Sequence, residues 1–142
     1  MDRVCHFEVP YADKSRMETF YSKVFGWHFM PAPGEMPYTF VITTEVDDNF
    51  MPKNPGGVNG GAYPRGNEGE GGSNSPVIVI EVEACQKRID EVVAAGGQKV
   101  LGPNEISGMG IYAQVKDSEG NVIGLWQQIG RASCRERVSP RV

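Results

Sequence analysis

Val4-Cys5-His6-Phe7-Glu8-Val9 and Val77-Ile78-Val79-Ile80-Glu81-Val82 state one pattern twice, and that repetition decides the fold. Each run is rich in β-branched or aromatic residues and closes on Glu-Val. The first leads into an amphipathic segment ending Val24-Phe25-Gly26-Trp27, the second into one ending Val93-Ala94-Ala95-Gly96-Gly97. In both copies the helix is predicted to stop at glycine, the residue that closes a helix in the left-handed conformation at no steric cost. More short strands follow each helix. A duplicated strand-helix-strands unit implies two matching half-sheets with a cleft between them, where a small molecule binds.

The first run alternates, so Val4, His6 and Glu8 are expected on one face and Cys5, Phe7 and Val9 on the other. The apolar set is expected to meet a helix, with Cys5 as a small core residue. Asp13 is the expected N-cap, and Met17, Phe20, Tyr21, Val24 and Phe25 form a core-facing stripe. Strands are predicted at 27–30, 38–45 and 58–63, the last glycine-rich, with a turn at 31–34. In the second copy a strand at 77–82 precedes a helix near 84–95 that places Cys85, Ile89, Val92 and Val93 on one face. Strands at 99–101, 111–116 and 122–128 complete it, the last two joined by a hairpin at 117–121 in which Gly120 supplies positive φ. The order is βαβββ twice. The expected class is therefore α+β, with two tandem modules, 1–63 and 76–129, joined by a polar linker at 64–75 and forming a U-shaped open sheet.

Residues 130–142 break this pattern. Ile129-Gly130-Arg131-Ala132-Ser133-Cys134-Arg135-Glu136-Arg137-Val138 resembles the translation of a sequencing-library adapter, and 130–142 is set aside as a non-native tail. The whole chain of 142 residues carries a net charge of −4, and removing the arginine-rich tail deepens the acidic excess. An acidic domain repels phosphate backbones, so a nucleic acid is not an expected partner. No apolar run reaches the length of a membrane span and no leader precedes the first strand, so the expected setting is the cytoplasm, without a membrane partner. Three cysteines make no disulfide framework. No P-loop, dinucleotide fingerprint, His-Glu-x-x-His or Gly-x-Ser-x-Gly motif occurs. Unpaired strands at the edges of the half-sheets leave a homodimer open.

His6-Phe7-Glu8-Val9-Pro10, Phe20-Tyr21-Ser22-Lys23-Val24-Phe25-Gly26-Trp27, Gly57-Val58-Asn59-Gly60-Gly61 and Asp117 through Gln127 carry a family resemblance. The chain resembles the vicinal-oxygen-chelate superfamily of glyoxalase I, extradiol dioxygenases and bleomycin-resistance proteins, and within it the small proteins related to lactoylglutathione lyase. The resemblance covers residues 3–128. It implies a divalent metal held by two His or Gln and two Glu, one from each of four strands, which polarises the substrate's oxygens.

Carried across, that ligand set is incomplete. His6 falls at the first ligand position. The second-module histidine position is Val77, the final carboxylate position is Gly124, and the strand expected at 58–62 has no acidic residue or histidine. Glu8 and Glu81, at matching points of the two repeated runs, are the candidate catalytic carboxylates. If they lie close, like charge and burial raise a pKa and supply a general acid or base. His6, Val77, Gly124, Trp126, Tyr112 and Asn59 are the candidate ligand-binding residues, with Tyr63 and Met109 near the rim. Three readings of His6 and the glutamates stay open: a shifted metal site, polar groups that handle a ligand without metal, and strand residues satisfied by hydrogen bonds and water. The cofactor is thus left open. The expected function is small-molecule binding in the cleft, as a lyase or isomerase without the usual metal quartet. The alternative is a non-catalytic sequestering protein of the bleomycin-resistance type.

Overall fold

The computed structural model describes residues 1–34, 37–66 and 74–129, so the tail at 130–142 and most of the linker at 64–75 lie outside the described residues. The first module runs β1 (Arg3–Tyr11), α1 (Lys14–Phe25), β2 (His28–Pro31), β3 (Thr39–Ile42) and β4 (Gly60–Pro64). The second runs β5 (Val77–Glu81), α2 (Cys85–Ala94), β6 (Gln98–Ile106), β7 (Gly110–Lys116) and β8 (Val122–Gln128). The eight strands form one sheet in the order β2-β3-β4-β1-β5-β8-β7-β6. Read from the middle outwards, each half is the same: the module's first strand, then its fourth, third and second. The seam is the antiparallel pair β1–β5, where Phe7 faces Ile78, His6 faces Val79 and Glu8 faces Val77. A pseudo-twofold axis through Phe7 and Ile78 therefore equates His6 with Val77 and Glu8 with Val79.

That axis corrects one expectation. The Glu-Val endings suggested that Glu8 and Glu81 are equivalent, but the partner of Glu8 across the axis is Val79. The strands differ in how far their motif sits from the helix, and pairing follows the helix start rather than the motif. A second correction concerns β1. The ladder slips between Val4 and His6, so Val4 pairs with Ile80 and Arg3 with Glu81. A bulge at Cys5 turns Val4 away from the face of His6 and Glu8, and brings Arg3 onto it.

One face of the sheet carries the helices. Val82, Cys85, Ile89, Ala113, Val115 and Leu125 form the core under α2, with Ile80, Val92, Ile111 and Ile123 packed against it. Val93 lies outside this core, 53% exposed. The N-terminus of α2 has no side-chain cap of its own; instead Gln127 Oε1 accepts from the Cys85 amide at 2.7 Å. The other helix is capped as read: Asp13 Oδ1 accepts from the Arg16 amide at 2.9 Å, and Gly26 ends α1 with φ 73°. Its stripe, however, is not core. No α1 residue is buried, and Phe20, Val24 and Phe25 are more than half exposed. Tyr21 stacks on Trp27, with ring centroids 4.6 Å apart, and Trp27 meets Phe7 of β1. These ring contacts join α1 to β1, while Phe20, Val24 and Phe25 of the stripe stay largely in solvent.

The strand at 99–101 proved to be the start of the longer β6, which pairs with β7 through two register shifts between Lys99 and Asn104. The run predicted at 38–45 shortens to β3, and β7 and β8 lie where expected. No helix among the described residues is long and apolar enough to cross a membrane.

Candidate functional site

The face away from the helices carries the candidate site. Alternation and register place His6 and Glu8 of β1, Gly61 and Tyr63 of β4, Val77, Val79 and Glu81 of β5, Tyr112 and Gln114 of β7, and Gly124 and Trp126 of β8 on it. Tyr38, just before β3, joins them by pairing parity, since Phe40 lies opposite Gly61.

At the centre stands Glu8, 4% exposed. The Tyr38 hydroxyl donates to its Oε2 at 3.0 Å, and the Tyr112 hydroxyl donates to its Oε1. Each phenol is backed by another polar group. His6 Nε2 lies 2.9 Å from the Tyr38 oxygen, and Gln114 Nε2 donates to the Tyr112 oxygen at 2.8 Å. Because Tyr38 spends its proton on Glu8, its oxygen accepts from His6, which sets the Nε2–H tautomer. The chain His6–Tyr38–Glu8–Tyr112–Gln114 thus crosses both modules, with every bond directed towards the carboxylate.

The span across the sheet explains the glycines. Tyr112 sits three strands from Glu8, about 14 Å across a flat sheet at ~4.8 Å per strand. Curling of the sheet and the absence of a side chain at Gly124 close that gap. A Cβ at Gly124 would stand 3.3 Å from the Tyr112 ring and hydroxyl. At Gly61 a Cβ would overlap the Tyr38 hydroxyl outright. The pairings Phe40–Gly61 and Gln114–Gly124 make Gly61 equivalent to Gly124 and Tyr38 equivalent to Tyr112. Two symmetry-related tyrosines each lie over a glycine and grip one glutamate.

Electrostatics follow from burial. Desolvation raises the Glu8 pKa, and the bonds from Tyr112 and Tyr38 pull it part of the way back. Burial takes His6 down to about 4, so the ring is neutral at pH 7. Burial and then the nearby Glu8 charge lift both Tyr38 and Tyr112 above the usual phenol range, which keeps them as donors. No cationic side chain among the described residues lies within ion-pair distance of Glu8.

The other expected site residues are placed as follows. Glu81 shares the face but stands four residues along β5 from the position opposite Glu8, about 13 Å at ~3.3 Å per residue. It is 7% exposed, lies 3.7 Å from the Arg3 guanidinium, and its Oε2 has no protein partner. Val77 and Val79 fill the floor between the two glutamates. Trp126 leans over Gly110 and donates from Nε1 to Gln128 Oε1 at 3.0 Å. Asn59 is apart from the cluster: its Oδ1 accepts from the Thr43 and Thr44 amides at 2.8 and 3.1 Å, tying the end of β3 to the approach of β4. Tyr38 and Gln114 were not foreseen. Superposing the third strand of one repeat on that of the other would have matched Tyr38-x-Phe40 with Tyr112-x-Gln114. A separate open groove of about 370 Å³ lies on the helix side, lined by Tyr11, Asp13, Arg16, Phe20 and Arg65, away from Glu8.

No protein-family model matches the chain. Among curated proteins it is 28% identical over 119 residues to the protein named "Putative glyoxylase CFP32" of Mycobacterium bovis, and equally to that of Mycobacterium tuberculosis. The match covers 81% of this chain but 41% of those relatives, so the chain spans about two fifths of their length. Among solved structures, a methylmalonyl-CoA epimerase in complex with methylmalonyl-CoA and NH4+ superposes with a TM-score of 0.64 at 13% identity, over 94% of this chain and 99% of that one. A hypothetical protein, BH1468, from Bacillus halodurans C-125 gives 0.62 at 14%, over 93% and 98%. The chain has the vicinal-oxygen-chelate fold.

The metal of that fold family does not fit this site. Of the four positions the vicinal-oxygen-chelate pattern assigns, Val77 and Gly124 carry no donor atom, and β4 offers only Gly61 and Tyr63 on this face. The remaining one, His6, directs Nε2 to Tyr38. Among the described residues no group of three or more His, Cys, Asp or Glu comes together. The space of the absent carboxylates is taken by the rings of Tyr38 and Tyr112.

Proposed function

We propose that the chain binds a small organic molecule on the concave face of its sheet and acts as an isomerase or lyase in which Glu8 moves a proton. One observation carries this reading: a nearly buried carboxylate, without a counter-cation among the described residues, is held between hydroxyls delivered by both modules. Folding gains little from such a group, because burial of a charge without an ionic partner is costly. Its raised pKa brings it towards the range where a carboxylate accepts and returns protons near neutrality. The surroundings, Tyr38, Phe40, Tyr63, Tyr112 and Trp126, give aromatic walls suited to a partly apolar ligand. The setting proposed is the reducing cytoplasm, which suits a chain whose three cysteines make no disulfide framework. Epimerase-type neighbours of the same fold support proton transfer over sequestration as the activity.

The test is an NMR-monitored screen of small carbonyl compounds and carboxylic acids against the labelled chain, repeated with Glu8→Gln. Binders that shift the His6 ring, the Glu8 carboxyl and the β7 amides together support the reading. Binders that act only elsewhere, on the α1 groove for example, or binding indifferent to Glu8→Gln, would overturn it.

A further inference from the structure

We infer that Tyr38 and Tyr112 form an oxyanion-holding pair, and that the site takes a carbonyl compound bearing an exchangeable hydrogen on the adjacent carbon. This rests on the reading of Glu8 as the proton-transfer group and adds the ligand class and the two residues that stabilise charge.

The geometry motivates it. In the resting site both hydroxyl protons point at the Glu8 carboxylate, and each phenol oxygen is itself braced by His6 or Gln114. These are two preorganised neutral donors converging on one negative charge. When Glu8 removes a hydrogen as a proton, the C–H pair becomes a C=C bond and the carbonyl π pair moves onto oxygen. Negative charge leaves Glu8 and appears on the ligand oxygen. A protonated carboxyl no longer needs two strong donors, which releases the hydroxyls to turn to the new oxyanion. Return of the proton to the other face or to the neighbouring carbon completes an isomerisation, with no electron donor or acceptor needed. Donors fixed before the charge appears are the effective form of electrostatic catalysis. The same arrangement supplies, at the glycine positions of the fold, the charge stabilisation that a metal would give. Tyr38 and Tyr112 are neutral, and among the described residues no cation lies within ion-pair distance of Glu8, so the reacting end of the ligand is uncharged before proton transfer.

The probe is 4-nitrophenol, whose phenolate imitates an enolate and reports its own ionisation by absorbance. Binding is measured at pH 8 to the wild type, to Glu8→Gln, and to Glu8→Gln combined with Tyr38→Phe or Tyr112→Phe, with circular dichroism confirming that each is folded. Glu8→Gln keeps the shape of Glu8 and removes its charge. It is expected to bind the phenolate at least about tenfold more tightly than the wild type, with the phenolate absorption retained, and each Phe substitution should lower that affinity about tenfold, as for a hydrogen bond to a charged group. Phenolate affinity unchanged by both Phe substitutions, or no phenolate binding to folded Glu8→Gln, would overturn the assignment. If carbonyl ligands in the NMR screen still contact Glu8, the proton-transfer site survives and only the oxyanion role falls. If nothing contacts Glu8, both fall.

Discussion

Gly61→Ala tests the architecture of the site through a single methyl group. A Cβ at Gly61 falls on the Tyr38 hydroxyl, and the nearest atoms all belong to that one side chain. The backbone at Gly61 lies outside the positive-φ set, so alanine brings no conformational strain. Tyr38 must swing away, which breaks its bonds to Glu8 and His6. A hydrogen bond to a charged group contributes about 1.5–3 kcal/mol. The lower entropy of the unfolded alanine chain returns about 0.4–1 kcal/mol. The net expectation is a loss of roughly 0.5–2.6 kcal/mol at pH 7.5, where Glu8 relies most on its donors. Gly124→Ala is the matched control. There a Cβ meets Val79 at 3.0 Å and Tyr112 at 3.3 Å, contacts that small shifts relieve, so the change should stay within about 1 kcal/mol of zero. Equilibrium urea denaturation of both variants beside the wild type decides the matter. Equal stability of Gly61→Ala and Gly124→Ala would refute the reasoning, because it would mean Tyr38 does not lie over Gly61.

Further predictions concern pH, packing and capping. Because burial holds folded His6 at about 4 against 6.5 when free, its stabilising contribution is complete above pH 6.5 and is lost as pH falls through about 4. Replacing His6 with Asn should flatten that part of the stability–pH profile, read by thermal denaturation. Glu8 acts in the opposite sense: its pKa is raised, so its contribution is present below 4.5 and lost as pH rises through the folded value. Glu8→Gln should therefore gain stability over the wild type at alkaline pH and not at pH 3. Ile89→Ala, emptying a 2%-exposed position under α2, should cost about 2–5 kcal/mol in urea denaturation. Asp13→Ala should cost about 1 kcal/mol by removing the α1 cap, again read in urea.

Much of the fold was legible because it is written twice. Glycine stops, the Asp13 cap and the Asp117–Asn121 turn are local signals, and the two helices and β8 follow from them. β6 was read only as far as Leu101, whereas register shifts carry the strand on through Gly102 and Pro103 to Ile106. The bulge at Cys5 leaves no mark in composition; it shows only in the pairing with β5, so strict alternation put Val4 on the wrong face. The α1 stripe has helical spacing yet stays largely exposed, because periodicity tells which side is apolar and not how closely a sheet approaches it. At the site, Glu8 was marked by its place in the repeated run, His6 and Gly124 by the ligand positions that the family resemblance implies, and Tyr112 as a residue at the rim of the expected cleft. Tyr38 was not, since it lies ahead of its strand and reaches Glu8 only through the curl of the sheet. Asn59 looked like a cleft residue because it sits among glycines, but its carbonyl is occupied by two backbone amides.

The central claim is that tyrosines from the two modules share one buried carboxylate. The direct measurement is a 13C NMR titration of the Glu8 side-chain carboxyl in the wild type, Tyr38→Phe, Tyr112→Phe and the double variant. The account predicts a wild-type midpoint above the ordinary 4.5, moved higher by either substitution and highest in the double variant, since each hydroxyl favours the ionised form. An ordinary midpoint that ignores both substitutions would contradict it.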